Sequence, residues 1–386
     1  DALAAVGSSF SLMTFLTSVL LGLAMGSGTV FSIRYGEKDR AGLKEGILAS
    51  FALLGAVTVL LNIIVFAGTD WIIWFLRTPG ELTGLMREYL TVIFAGLAGI
   101  FLYNFFASLL RSLGNSMVPL VFLAVSAGLN IGLDLLFVAG LHRGVAGAAE
   151  ATVISQYVSG IGIALYTKIK FPQLLKREKH IRLRMSRMKE ITSFSALTCL
   201  QQSIMNLGIL AVQGLVNSYG TTVMAAFAAA VKIDAFAYLP VQDFGNAFSI
   251  FTAQNFGARQ WKRIRKGIRT AVAVSMSFGA LLSLLVFLLA EPLMTLFIDK
   301  GETAVIAEGV RYLHIEGAFY YMIGLLFLFY GLYRALGKPG MSVVLTIVSL
   351  GVRVALAYAL SAVPFIGTLG IWWSVPVGWF LADALG

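Results

Sequence analysis

Charge is scarce in this sequence. Asp, Glu, Lys and Arg make up 12% of its 386 residues, hydrophobic residues make up 58%, and mean hydropathy is +0.85. That is too little charge to cover the surface of a water-soluble protein of this length. Cysteine is almost absent: the single Cys199 excludes a disulfide within the chain, and its place in an apolar run marks it as packing. Histidine occurs only as His142, His180 and His314, and no HExxH, GxSxG or P-loop pattern occurs. These absences argue against a metalloprotease, a serine hydrolase and an exporter that burns ATP in the same chain, so no enzyme is expected.

What is present is a succession of long apolar runs, over 3–33, 42–70, 80–110, 117–140, 144–169, 186–218, 221–256, 263–292, 302–335, 339–362 and 368–386. Each is long enough to cross a bilayer as a helix. The runs are too long, and alternate too little, to be barrel strands. The expected fold is therefore an all-α integral membrane protein.

The net charge of +10 raises the question of a nucleic-acid partner, but its placement answers it. Loops after the first, third, fifth, seventh and ninth helices carry 22 Lys and Arg residues; the alternate loops carry five, Arg77, Arg87, Arg143, Lys300 and Arg311. This is the asymmetry of a multi-pass cell-membrane protein with its basic loops in the cytoplasm. No nucleic-acid partner is expected. The stretch 170–190 is basic with interspersed Leu174, Leu175, Ile181, Leu183 and Met185. It reads as a solvated linker, with contact to anionic membrane lipids as the alternative.

The two halves repeat. Leu3-Ala4-Ala5-Val6-Gly7 matches Met224-Ala225-Ala226-Phe227-Ala228 at an offset of 221, as does Tyr35-Gly36 with Phe256-Gly257. At an offset of 223, Arg111-Ser112-Leu113-Gly114 matches Arg334-Ala335-Leu336-Gly337, and Gly144 and Gly147 match Gly367 and Gly370. Matched loops fall on the same side of the membrane, so the repeat is parallel, as in transporters that bind substrate between two halves. The expected division is an N-lobe over 1–169, a linker over 170–185 and a C-lobe over 186–386. Helix 186–218 has no counterpart in the first half. A pseudo-symmetric pair of six-helix lobes is expected, with the first of twelve helices missing and the last incomplete.

Ionisable residues inside spans are expensive and point to function. Asp134 lies mid-helix, and Asn130 four residues earlier shares its face. A carboxyl there can carry a proton, and with the Asn130 amide oxygen it can hold a hard cation such as Na⁺. In the repeat Asn130 maps to Arg353 and Asp134 to Ala357, so this acidic site belongs to the first half alone. Arg353 reads as a structural partner for a carboxylate or a helix C-terminus. Glu150 either joins the Asp134 site or reaches the outer interface. Lys232 and Asp234 are two apart and cannot face each other, so each needs another partner. Glu316 and His314 line a second-half cavity or make structural contacts, and Tyr320, Tyr321 and Tyr330 read as packing.

Taken in order, these segments resemble the multidrug and toxic compound extrusion (MATE) family. The opening Asp1-Ala-Leu-Ala-Ala-Val-Gly7 is similar to the start of the family's second helix. Thr252-Ala-Gln254-Asn255-Phe-Gly257-Ala258 is similar to its loop after the eighth helix. Arg111-Ser-Leu-Gly114 and Arg334-Ala-Leu-Gly337 are similar to the turns after the fourth and tenth, and Gly144-x-x-Gly147-Ala-Ala to the start of the sixth. The resemblance covers the whole chain. It implies two six-helix lobes and antiport of small organic cations or drugs against H⁺ or Na⁺, with no other cofactor; a monomer is expected. It carries a cation site onto Asn130, Asp134, Ala148 through its carbonyl, and Thr152, with Asp134, Asn130 and Thr152 as ligands if Na⁺ is the ion. It places Met13, Asn104 and Gln156 toward the central cavity, and Glu150, Lys232 and Asp234 stand as further cavity residues. The family's seventh-helix carboxylate has no match, since Gln201 and Gln202 occupy that region. The rival expectation is a lipid-linked oligosaccharide or polysaccharide flippase of the same superfamily, which would need a strongly cationic cavity.

Overall fold

The computed structural model describes residues 2–75, 83–176 and 184–386, with side chains from Leu12 onward. Arg77, the linker residues 177–183 and the side chains of the Leu3–Gly7 repeat segment lie outside the described residues. The described chain is helical throughout. In order it forms α1 (Ala2–Gly36), α2 (Arg40–Phe75), α3 (Thr83–Ala95), α4 (Leu97–Ser112), α5 (Met117–Asp134), α6 (Gly144–Lys170), the single turn α7 (Pro172–Leu175) and α8 (Met185–Asn217). Then follow α9 (Thr221–Gly257), α10 (Trp261–Met294), α11 (Thr303–Glu316), α12 (Tyr320–Ala335), α13 (Pro339–Ser361) and α14 (Thr368–Leu385). Nine stretches among the described residues are long and apolar enough to cross a membrane. The two other expected spans, 144–169 and 368–386, form α6 and α14.

The apolar residues divide between an inside and a lipid-facing outside. In the first unit Leu20, Phe31, Leu54, Phe94, Leu97 and Phe105 are fully buried. The Phe31 and Phe105 rings meet edge-on at 6.2 Å. In the second, Phe227 stacks on Trp372 at 5.7 Å, with Tyr312 edge-on to both. On the outside, Val59, Leu60, Ile63 and Ile64 of α2 and Leu281, Leu284 and Leu288 of α10 are exposed. In water this would be an aggregation surface. In a bilayer it is the required one, because helices satisfy their own backbone and present apolar side chains to lipid.

The internal repeat is built into the backbone. Left-handed φ values occur at Lys38 (58°) and Arg259 (55°), 221 apart, at Gly114 (88°) and Gly337 (80°), and at Gly144 (56°) and Gly367 (53°), both pairs 223 apart. The helix-ending hydrogen bonds repeat as well: Asp39 N donates to Arg34 O (3.1 Å) as Gln260 N does to Asn255 O (2.8 Å), and Asn115 N to Leu110 O (2.9 Å) as Lys338 N does to Tyr333 O (2.9 Å). Such caps close a helix by turning one residue left-handed. Close helix contacts occur in both units, at positions that are not repeat-equivalent. A Cβ on Gly160 of α6 would fall 2.5 Å from Gly99 O of α4, and one on Gly331 of α12 would fall 2.5 Å from Gly245 O of α9.

By internal contacts the chain divides into two compact units, 1–199 and 200–386. The division falls inside α8, not in the 170–185 linker, because the first part of α8 packs on α1 and α2. Ser195 donates to Leu23 O (3.0 Å), and Ile191 is fully buried in the first unit's core.

Candidate polar sites in the two units

In the first unit the candidate residues gather where α5 meets α6. Asn130 and Asp134 sit one turn apart on α5, and immediately after Asp134 the helix widens into a π-helical turn over Leu135–Gly140. Such wide turns leave backbone groups out of the ordinary ladder and recur at functional sites. Across from them, Thr152 of α6 donates to Ala148 O (3.0 Å) and lies 3.4 Å from Asn130 Nδ2. Asn130, Ala148 and Thr152 are therefore brought together. Asp134 Oδ1 is buried and has no hydrogen-bond partner. Its charge acts on Tyr89 of α3. The group offers oxygen acceptors, and one of them is unused. That chemistry suits a proton or a hard monovalent cation. No cluster of three or more His, Cys, Asp or Glu suited to a metal occurs among the described residues.

The remaining expectations separate. Glu150 pairs with Arg143 at 2.7 Å, a partner not read from the sequence. Gln156 lies two turns beyond Ala148 on α6, and its Oε1 is buried without a partner against Gly96, where any Cβ would come within 2.3 Å. Asn104 bonds its own helix at Ile100 O (2.9 Å), and Met13 is half-buried against the first core. Lys232 is exposed, with its ammonium 5.6 Å from the Phe297 ring centroid.

In the second unit Asp234 of α9 is buried and accepts hydrogen bonds from Tyr312 (2.5 Å) of α11 and from Tyr320 of α12. Glu316 of α11 is buried beside it, with Oε2 unpartnered. The charges of Glu316 and Arg353 both act on Asp234.

The MatE family model matches residues 1–136 and 198–359, which is most of the chain and includes both units. This chain belongs to the MatE family. It is similar to the probable multidrug resistance protein YoeA of Bacillus subtilis (strain 168), at 28% identity over 97% of this chain and 82% of that protein. It is also similar to the probable multidrug resistance protein YpnP of the same strain, at 30% identity over 90% and 77%. Its fold matches a solved outward-facing multidrug resistance MATE family transporter of the MOP superfamily, with a TM-score of 0.93, 23% identity, and coverage of 100% and 86%. As a MatE-family member the protein is a multi-pass membrane transporter and not an enzyme.

Within this MatE-family chain, sequence reasoning named Asp234 but missed its partners. Tyr320 was expected to pack; it is buried and also donates to Asp234. The signal that could have found the group was helical spacing: Tyr312, Glu316 and Tyr320 fall at four-residue steps.

Proposed function

We propose that this protein exports small organic cations or drugs across the cell membrane in exchange for H⁺ or Na⁺, with Asp134 as the carboxylate that takes the coupling ion. The observation that carries this reading is the buried, unpartnered Oδ1 of Asp134 beside the oxygen-rich group of Asn130, Thr152 and Ala148. Family membership and the names of the relatives supply the substrate class. The basic loops face the cytoplasm in this reading, on the strength of 22 Lys and Arg against five. A cation arriving from outside binds or protonates Asp134, removes its charge and changes which conformation is favoured. Coupling requires that the ion bind one conformation better than the other. If Na⁺ is the ion, Asp134, Asn130 and Thr152 are its side-chain ligands.

A second location for coupling is the Asp234–Glu316 pair, favoured by the unpartnered Oε2 of Glu316. The test uses everted membrane vesicles containing the full-length protein, a fluorescent organic cation, and H⁺ and Na⁺ gradients imposed separately. Gradient-driven uptake that vanishes in Asp134→Asn and survives in Glu316→Gln supports the first location and names the ion. Undiminished uptake in Asp134→Asn moves the coupling elsewhere. No uptake under either gradient by inserted protein overturns antiport.

A further inference from the structure

The helix that opens the second half of the repeat does not belong wholly to the second unit. Residues 185–199 of α8 pack with α1 and α2, and the same helix continues past Leu200 into the other unit. Two kinds of contact hold this segment. Midway along it, Gly22 and Gly26 of α1 lie four apart in a small-xxx-small pattern. A Cβ on Gly22 would fall 2.6 Å from Cys199 Cα, and one on Gly26 would fall 2.5 Å from Phe194 O. Ser27 and Ser195 hydroxyls meet there at 2.9 Å. At the basic-loop end the contact is ionic. Arg34 pairs with Glu190 (2.5 Å), Arg184 with Glu45 (3.2 Å), and Arg187 with Glu45 (3.4 Å) and Asp39 (3.7 Å), while Arg187 also pairs with Glu190 within α8 (3.0 Å). Glu45 is buried on α2 beneath those arginines.

This surface differs from the cores on either side. Ile191, Met188 and Phe194 pack against the first unit's core, and the remaining specific contacts run through glycine, serine and charge. Bulky apolar contacts lose their partners outright when they part. Ion pairs and hydroxyls exchange their partners for water, so their separation costs far less. The ionic end of this surface can close and still reopen.

We propose that residues 185–199 are a cytoplasmic clasp, and that Glu45 and Glu190 gate it. They hold Arg34, Arg184 and Arg187 in the closed state, and release of the segment from α1 and α2 is the step that admits cargo from the cytoplasm. The proposal rests on the export reading and loop orientation given above, and goes beyond them in assigning the gate.

The experiment uses the full-length protein in membrane vesicles with Cys199→Ala as background. In the first arm, Ser27→Cys and Ser195→Cys are combined and oxidised. The cross-link is expected to form, to stop export, and to release it on reduction; export by the cross-linked protein at the uncross-linked rate overturns the proposal. The second arm needs no transport. Ser195→Cys alone is labelled with a membrane-impermeant maleimide from the cytoplasmic face. Adding Glu45→Gln and Glu190→Gln is expected to speed labelling roughly fivefold or more, the scale of losing ion pairs of this class. Unchanged labelling overturns the clasp. If the protein exports nothing under any gradient, the export reading fails while the labelling arm still decides the clasp.

Discussion

The polar groups of the two units occupy one repeated scaffold and use it differently. In the first unit the carboxylate comes from α5, as Asp134, and its charge acts on Tyr89. In the second it comes from α9, as Asp234, bonded to Tyr312, and Tyr312 lies 223 residues from Tyr89, at the repeat-equivalent position. The tyrosine has kept its place while the acid arrives from a different helix. Where one unit is polar the other is packed. Asp134, Thr152 and Ala148 map onto the buried Ala357, Val375 and Ile371, whereas Asp234, Glu316 and Tyr320 map onto Met13, Ile93 and Leu97. A duplicated backbone thus carries an intramembrane carboxyl at a different repeat position in each unit. The first group is partly open and leaves an acceptor unused; in the second, Asp234 is fully engaged by two tyrosines. In the function we propose, the first takes the coupling ion. The second holds three helices together.

The largest effect expected follows from that contrast. Asp134→Asn should abolish gradient-driven export with little change in thermal stability, whereas Asp234→Asn should unfold the protein in detergent at a clearly lower temperature. Fluorescence-monitored melting beside vesicle transport separates the two, and the comparison breaks if both variants lose stability alike. Overpacking should be nearly as costly and should not distinguish the units. Gly160→Leu and Gly331→Leu each drive a side chain into the facing glycine carbonyl, and each should cost about 1–3 kcal/mol or more. A small effect at either site would mean that its helix contact yields more than the 2.5 Å spacing allows.

Smaller is the loss of one donor. Tyr320→Phe leaves Asp234 with one tyrosine and should destabilise by about 1–3 kcal/mol, read as a fall in melting temperature. Thr152→Val removes a hydroxyl whose contact with Asn130 is long, at 3.4 Å. Its stability cost should stay below about 1 kcal/mol, while the ion concentration giving half-maximal export should rise. Of similar size is Asp39→Ala: its carboxylate accepts from Gly42 N (2.8 Å) at the start of α2, and losing such a cap costs about 1 kcal/mol. The repeat has Gln260 at the corresponding place, with no side-chain cap, so Gln260→Ala should change nothing.

Most of the helices were legible because a bilayer imposes a local rule on each of them: every span must be long and apolar on its own account. The break between α3 and α4 at Gly96, and its counterpart at Gly317–Phe319 between α11 and α12, were not legible. Both lie inside apolar runs, and hydropathy does not register a change of winding. The Asn130–Asp134 pair was visible because both members sit on one helix at a fixed spacing. The Asp234 group was visible only in pieces, because its members come from three helices. The pairing of Glu150 with Arg143 was not read from the sequence.

The sequence by itself determined the membrane class, the helix order and the repeat, because hydropathy, loop charge and turn residues are read a few positions at a time. The tertiary structure alone decided which buried acids have partners, which unit the start of α8 joins, and where the polar clasp lies. Those depend on which faces of distant helices meet, and in a membrane nearly every helix face is apolar enough to meet any other.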